Sequence, residues 1–562
     1  MKNAIIFLII FCAINLLHAQ VVFEPAYKDV YPYLERLNHR GVIELDDLFK
    51  PFSRKYIAEK LTEAKSSIDL LTDLEKEELE FFEKEYYWEI NTANEGSIEE
   101  DLNFFERDNA GRYRIFSYNN DIFKFQAKPL LGVDVSYIEK NRNIHMLMGL
   151  NAHGYLLDKI GFSLDIRSHN ERGDALDPYR EFTPQTGIIP TISQKGKDIG
   201  YSEVNSSVSV DWGWGNITAA KEHIEFGYAK YGNIVLSNKA PSFPHVRLQI
   251  KPADWFNFYY FHAWLSSNVV DSAKVAEYKR DIYVGKYFAW HALVITPFKG
   301  FDFSIGESVV YGDEIEFLYL MPVMFYFFAD EYVTNKQGKP GDANQQIFLT
   351  ISSKNHLPNT HLYGTLFVDE MTIGGINGSI IANPTYGGAT SRRQRTQLGF
   401  TLGLSVTDLP IDNLTFSSEY TRINPFVYGH HDPAQTYASN SNLIGHWIGH
   451  NADLLYLNMT YRIIRGLKAE VWSAFIRKGS DDYSEQYGTT QPDFLFGLKS
   501  IYKGEYSGFN LKNFGLNLKY EWVHDLNFET RYKMTSISRR QADGSYIDDQ
   551  NNEFSISVYY GL

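Results

Sequence analysis

The sequence predicts an all-β protein: an antiparallel transmembrane β-barrel of about 18 strands preceded by a small periplasmic α-helical domain. Three observations lead there. Apolar and polar residues alternate over segments long enough to cross a bilayer, the connections between those segments alternate short and long, and the chain begins with an export signal.

The export signal comes first. Lys2 precedes the apolar run Ala4 to Leu17, which gives way to His18, Ala19 and Gln20. A basic start, an apolar run and a small residue before the cut make a secretory signal peptide. The expected organisation is a signal peptide over 1–19, a periplasmic helical domain over 20–95 and a barrel over 96–562. Cys12, the one cysteine of the chain, lies inside the apolar run. The exported protein therefore has no disulfide, and its stability rests on hydrogen bonding and packing.

Composition narrows the class. Aromatic residues make up 15% of the chain, with Tyr 39 and Phe 39, and the net charge is −15. An acidic chain of this kind is a poor partner for nucleic acid or an anionic lipid surface. The mean hydropathy of −0.31 looks soluble. A barrel gives the same value, because lipid-facing and lumen-facing residues alternate along each strand and average out.

Residues 25–90 carry a helical period instead. Tyr33, Leu34 and Leu37 share one face, stopped by Gly41-Val42-Ile43. Ser53 is placed to cap a second helix carrying Ile57, Ala58 and Leu61. Thr72-Asp73-Leu74-Glu75 reads as a capping box opening a third, with Leu71, Leu74, Leu79, Phe82 and Tyr86 as its stripe. Such helices would pack against the barrel mouth as a plug. The stretch from Tyr31-Pro32-Tyr33-Leu34 to Phe52-Ser53-Arg54 also resembles an S-layer-homology module, which would bind cell wall.

From Ile160 the rows Ile160, Phe162, Leu164, Ile166 and Gly161, Ser163, Asp165, Arg167 alternate; Leu398 to Val406 and Phe514 to Trp522 repeat the pattern. Side chains on a strand point alternately to opposite faces, and about 9–11 residues cross a bilayer. Strands are expected near 123–137, 144–156, 160–169, 201–213, 217–223, 243–251, 255–265, 285–296 and 301–311. The second half supplies 346–355, 361–371, 396–408, 411–424, 452–464, 467–478, 511–522, 525–538 and 553–562. Short turns such as Leu157-Asp158-Lys159 and Val523-His524 fall on one side, and the long loops 170–200, 312–345, 425–451 and 479–510 on the other. Phe554, Ile556, Val558, Tyr560 and Leu562 form a final apolar row running to the last residue.

Several motifs carry a family resemblance. Trp212-Gly213-Trp214-Gly215, Phe226-Gly227 and Leu236 to Pro244 resemble the capsule-assembly Wzi family, as do His291 with Glu307, Tyr311-Gly312 and Tyr319-Leu320-Met321-Pro322. Tyr420-Thr421, Tyr428-Gly429-His430 and Gly445 to Asp453 extend it through the C-terminal half. The resemblance implies an eighteen-stranded barrel closed by periplasmic helices, acting as a lectin that anchors capsular polysaccharide at the cell surface. The expected partners are that capsular polysaccharide or an exopolysaccharide, outer-membrane lipids and, from the final apolar row, the barrel-assembly machinery, with the protein expected to be a monomer.

The loop residues fit sugar binding. Tyr179, Tyr428, Tyr437, Asn440, Asn442, Trp447, Asp481, Asp482, Tyr483 and Tyr487 mix aromatic faces, which stack on sugar rings, with planar polar groups for hydroxyls. Trp447 and Tyr437 lead this set, followed by Tyr428 and His446. Arg392, Arg393 and Arg395 form the basic patch that an acidic polymer needs. His430, His431, His446 and His450 share one loop, but Gly445 and Gly449 flank the latter pair and no Cys or Glu completes a metal motif. No metal and no cofactor are expected. Nor is an enzyme, since no G-x-S-x-G and no recognisable Ser/His/Asp spacing is present. A channel is the rival function: Lys468, Glu470, Lys519, Glu521, Glu529, Arg531 and Lys533 would line a water path or fill the lumen with ion pairs. Helices at the mouth favour closure.

Overall fold

A computed structural model of the chain describes residues 21–93, 100–193, 195–337, 343–369, 397–479, 509–541 and 545–562. The expected export signal lies outside them. Eighteen antiparallel strands close into a barrel. They are β1 (Phe123–Ile138), β2 (Asn141–Leu156), β3 (Ile160–Gly173), β4 (Asp198–Asp211), β5 (Gly215–Glu222) and β6 (Phe243–Ala253). Next come β7 (Phe256–Val270), β8 (Tyr283–Phe298), β9 (Phe301–Gly312), β10 (Asn344–Lys354), β11 (Thr360–Asp369) and β12 (Gln397–Thr407). β13 (Leu414–Ile423), β14 (Ala452–Ile464), β15 (Leu467–Lys478), β16 (Phe509–Val523), β17 (Leu526–Arg540) and β18 (Tyr546–Tyr560) complete the ring.

The period of two does what it should. On β4, Val208 is 53% exposed on the outer wall while Ser209, at 0%, points into the lumen. With every backbone group paired around a closed ring, the sheet has no edge to leave unsatisfied in hydrocarbon. Closure comes from β18 meeting β1, from Tyr560↔Leu131 to Glu553↔Ile138. The remainder of the β1 edge is covered by a hairpin, Glu100–Arg107 and Tyr113–Asn119, that the sequence reading did not anticipate. The last strand also ends at Tyr560 rather than at Leu562, because Gly561 turns away with φ +88°.

The helices α1 (Val30–His39), α2 (Arg54–Ser66), α3 (Asp73–Glu85) and α4 (Tyr87–Ala93) sit in the short-turn mouth. Their caps are those expected. Ser53 Oγ accepts from Tyr56 N–H at 3.1 Å, and Thr72 and Glu75 satisfy each other's backbone donors at 3.2 and 2.9 Å. Tyr33, Leu34, Leu37, Ile57, Leu61, Leu79 and Tyr86 make the helical core. Ion pairs then tie the helices to the barrel: Asp47 to Lys354 at 2.5 Å, Glu78 to Arg462 at 2.7 Å and Asp29 to Lys468 at 2.7 Å. Phe81 stacks on His524 of the last short turn at 3.7 Å.

Candidate functional site

The lumen is filled from both ends. From the short-turn side, Phe49-Lys50 reach inward. From the other side the connection 223–242 dives down until Glu225-Phe226 pair with them as a two-stranded ladder. Phe49 stacks on Tyr259 at 4.4 Å, and Phe226, Phe261 and Phe348 surround the fully buried Trp290 at 5.0 to 5.3 Å. The loop 424–451 descends over this cluster. Aromatic pairs in offset or edge geometry contribute about 0.5–1.5 kcal/mol each beyond the area they bury, so the interlocked rings hold three chain segments in one register.

The expected sugar-binding residues belong to this packing. Tyr428 and Tyr437 stack on each other at 5.4 Å, and their hydroxyls donate to Ile234 O and Val235 O at 2.5 and 2.7 Å. Trp447, 4% exposed, donates from Nε1 to Tyr231 O at 2.6 Å and has Phe182 edge-on at 5.4 Å. The backbone N–H of His446 donates to the Tyr428 hydroxyl at 3.1 Å. Sequence reasoning placed these four on an open loop facing glycan. In the structure their ring faces meet other protein groups inside the lumen. Arg392, Arg393 and Arg395 lie outside the described residues, as do Asp481, Asp482, Tyr483 and Tyr487. Tyr179 stands exposed on the 170–200 loop.

The histidines do not converge. His430 and His431 face each other at 4.1 Å, whereas His450 Nδ1 accepts from Phe426 N–H at 3.2 Å and His446 Nδ1 from Ile448 N–H at 3.2 Å. Burial pushes His446 down to about 3, so it is a neutral acceptor. Among the described residues no group of three or more His, Cys, Asp or Glu is gathered to hold a metal ion.

Beside the aromatic plug runs a polar cavity of about 970 Å³. Its lining extends from Tyr27 and Asp29 at the helical mouth to Arg180 and Thr186 of the 170–200 loop. Its charges are paired across the helix–barrel junction. Glu35 meets Lys50 at 2.8 Å and also Lys230, while Asp29 bridges Lys468 and Lys519 at 2.7 and 2.8 Å. Burial alone would raise both carboxyls, but the facing ammonium groups win and hold them well below the usual range. Sequence reasoning missed the 223–242 segment as plug. The signal was there: Ile224, Phe226, Tyr228, Ile234, Val235 and Leu236 are too apolar for a loop in water.

Burial, reinforced by Lys230, pushes His39 of α1 down to about 3. The unfolded imidazole takes up a proton below about 6.5, so the docked helix loses stability as pH falls from there towards 3. Asp29 and Glu35 act the same way lower down, their stabilisation being complete above about 4.5 and lost below it. Acid release of the helices, followed by protease sensitivity of residues 21–93, should therefore begin near pH 6. In His39→Phe the loss above the carboxylate range should shrink; an unchanged profile would remove His39 from the account.

No protein-family model matches the chain, and no curated protein matches it. Among solved structures it is similar to Wzi, an outer membrane protein involved in group 1 capsule assembly in Escherichia coli. The TM-score is 0.56 at 11% identity, covering 97% of this chain and 100% of that one. The fold is that of the Wzi barrel. OccK3 (OpdO) of Pseudomonas aeruginosa, at a TM-score of 0.40 and 11% identity, covers 78% of this chain and 95% of its own. OccAB2 of Acinetobacter baumannii, at 0.41 and 11%, covers 77% and 97%. The motifs that resemble the Wzi family lie mostly where chain crosses or covers the barrel. Phe226-Gly227, Leu236 to Phe243 and Gly445 to Asn451 build the plug, and Tyr319 to Pro322 lies outside the wall.

Proposed function

We propose that this chain is a non-catalytic, lectin-like outer-membrane barrel that attaches capsular or exopolysaccharide to the cell surface, with its helices on the periplasmic side. The observation that carries the reading is the double plug. A lumen packed from both ends by aromatic rings and ion pairs leaves the long loops as the working surface. The Wzi barrel, whose fold it shares, is described as carbohydrate binding. Tyr179 on its exposed loop and the Arg392, Arg393, Arg395 group are the residues we assign to meet polymer. The arginines supply the positive charge that an acidic glycan requires on an acidic protein.

A channel for small solutes is the second reading, favoured by the polar cavity that runs beside the plug. One experiment separates the two: surface-attached against shed polysaccharide in a deletion strain and its complement. Anchoring predicts unchanged total polymer that shifts into the medium on deletion and returns on complementation. Unaffected attachment with a fall in small-solute uptake would instead make the barrel a channel.

A further inference from the structure

The connection between β9 and β10 does not stand in solvent. Residues 313–337 fold back along the outer wall as a short 3-10 turn, Phe317–Leu320, and a helix, α5 (Tyr326–Gln337). Tyr319, Tyr326 and Ala329 pack against Ala289, Val309 and Tyr311, which are outward-facing positions of β8 and β9. The wall beneath carries polar side chains in two neighbouring rows; in the first, His262 of β7 meets the Tyr311 hydroxyl at 2.7 Å. The second is the one the strap sits on. Tyr260, His291 and Glu307 are consecutive cross-strand partners on β7, β8 and β9. The same row continues as Leu248 and Ile217 on one side and as Ile347, Val368 and Leu398 on the other.

An ionisable pair within an otherwise apolar outer row is costly against hydrocarbon and marks a place where something covers it. Here the cover is the chain itself. Glu307 Oε2 accepts from the N–H of Tyr326, the first residue of α5, at 2.9 Å, and the Tyr260 hydroxyl donates to Tyr319 O at 3.2 Å. The His291 ring lies 4.7 Å from that of Tyr326. The opposite face of the segment is bare and apolar: Phe317, Val323, Phe325 and Phe328 are 62 to 75% exposed. Phe317 to Ala329 contains no charged residue, whereas Asp313, Glu314 and Glu316 precede it and Asp330 and Glu331 follow. An uncharged apolar run of about 10–14 residues suits a re-entrant or interfacial segment. Helical turns satisfy its backbone where water is absent.

From this we infer that the uncharged run Phe317 to Ala329 is a membrane-embedded strap, lying within the bilayer against the β7–β9 wall and taking lipid acyl chains on the face formed by Phe317, Val323, Phe325 and Phe328. Glu307 and Tyr260 pin the strap by its backbone, His291 lies against its Tyr326 ring, and the strap in turn shields the trio from lipid. The protein thus has a lipid-binding face on one side of the barrel, built from a segment that sequence alone assigns to the surface loops.

The test is spin-label accessibility in the full-length protein reconstituted in phosphatidylcholine vesicles. Nitroxides are attached at Val323→Cys or Phe328→Cys in a Cys12→Ser background, with Leu366→Cys on the bare wall and Tyr179→Cys on an exposed loop as references. Both strap labels are expected to behave as Leu366, with collisions by oxygen several-fold above those by a water-soluble nickel chelate. Nickel dominance, as at Tyr179, would put the strap in water and overturn the inference. So would labels shielded from both reagents until the protein is diluted in lipid, which would mean that a second copy covers the face. Glu307→Leu, which removes the acceptor, should increase label mobility at 328 while the barrel stays folded; unchanged mobility would refute the pinning.

Discussion

Replacing Arg54 with alanine is expected to release the helices from the barrel mouth, at a cost of about 3–5 kcal/mol. The guanidinium, 2% exposed, bonds Glu24 at 2.6 Å, Glu89 at 2.7 Å, Glu85 at 3.1 Å and the Glu85 carbonyl at 2.7 Å, and lies over the Tyr86 ring at 4.6 Å. Losing one partner of such a cluster leaves buried carboxylates without compensation, and that penalty exceeds the worth of any single contact. The effect should propagate. Glu85 also meets Arg112, which reaches Asp525 in the last short turn at 3.3 Å, and Asp525 in turn holds Lys128 of β1. Denaturant unfolding, read separately by protease sensitivity of residues 21–93 and by gel mobility of the heat-resistant barrel, checks this. The helices should come off first while the barrel persists. A wild-type midpoint for the helices would show that apolar packing alone docks them.

Trp447→Ala is the second large effect, about 3–5 kcal/mol from the cavity left by a buried indole. Its rim is Phe182, Tyr231 and His446, with rings 5.4 to 5.9 Å away, and its hydrogen bond to Tyr231 O joins the two descending loops. Gly232, φ +142°, sits so close that an added Cβ would lie 3.0 Å from the indole, so the site has little freedom to collapse. Near-UV circular dichroism and thermal unfolding should show the loss. Trp447→Phe keeps most of the volume and should cost much less. The pair also decides what the ring does. Normal polysaccharide attachment in Trp447→Phe, with attachment lost only where the plug loosens, fits a packing role. Attachment lost in a well-folded Trp447→Phe would put the ring in contact with glycan.

The strands were legible because a bilayer imposes a hard rule: one face apolar, period two, for a fixed length. Leu398 to Val406 obeys it without exception. The helical caps were legible for a similar reason, since Ser53 and the Thr72–Glu75 pair meet a local need of the backbone. The lumen filling was not. Tyr428, Tyr437 and Trp447 have the composition of a sugar-binding loop, because interlocking rings with polar tips suit a wet, irregular interior as well as a glycan. Only long-range contacts, such as Tyr437 with Val235, distinguish the two, and these leave no local pattern. The outward position of the Glu307–His291 pair follows from strand register, but the strap that covers it comes from a stretch with no strand period at all.

The seam between β1 and β18 bears on the order of events by which this molecule comes to exist. The strand made first must wait for the strand made last, and until they meet the sheet is an open ribbon. Phe226 lies against Phe49 and Trp447 against Tyr231 deep inside the finished ring, so these loops reach their places either through an open end or before it shuts. The aromatic cluster around Trp290 braces β6 to β9 from within, like a mandrel left inside the tube. The closing joint spans eight residue pairs, against sixteen between β1 and β2. It is a short commitment, half the length of the ladder on the other side of β1.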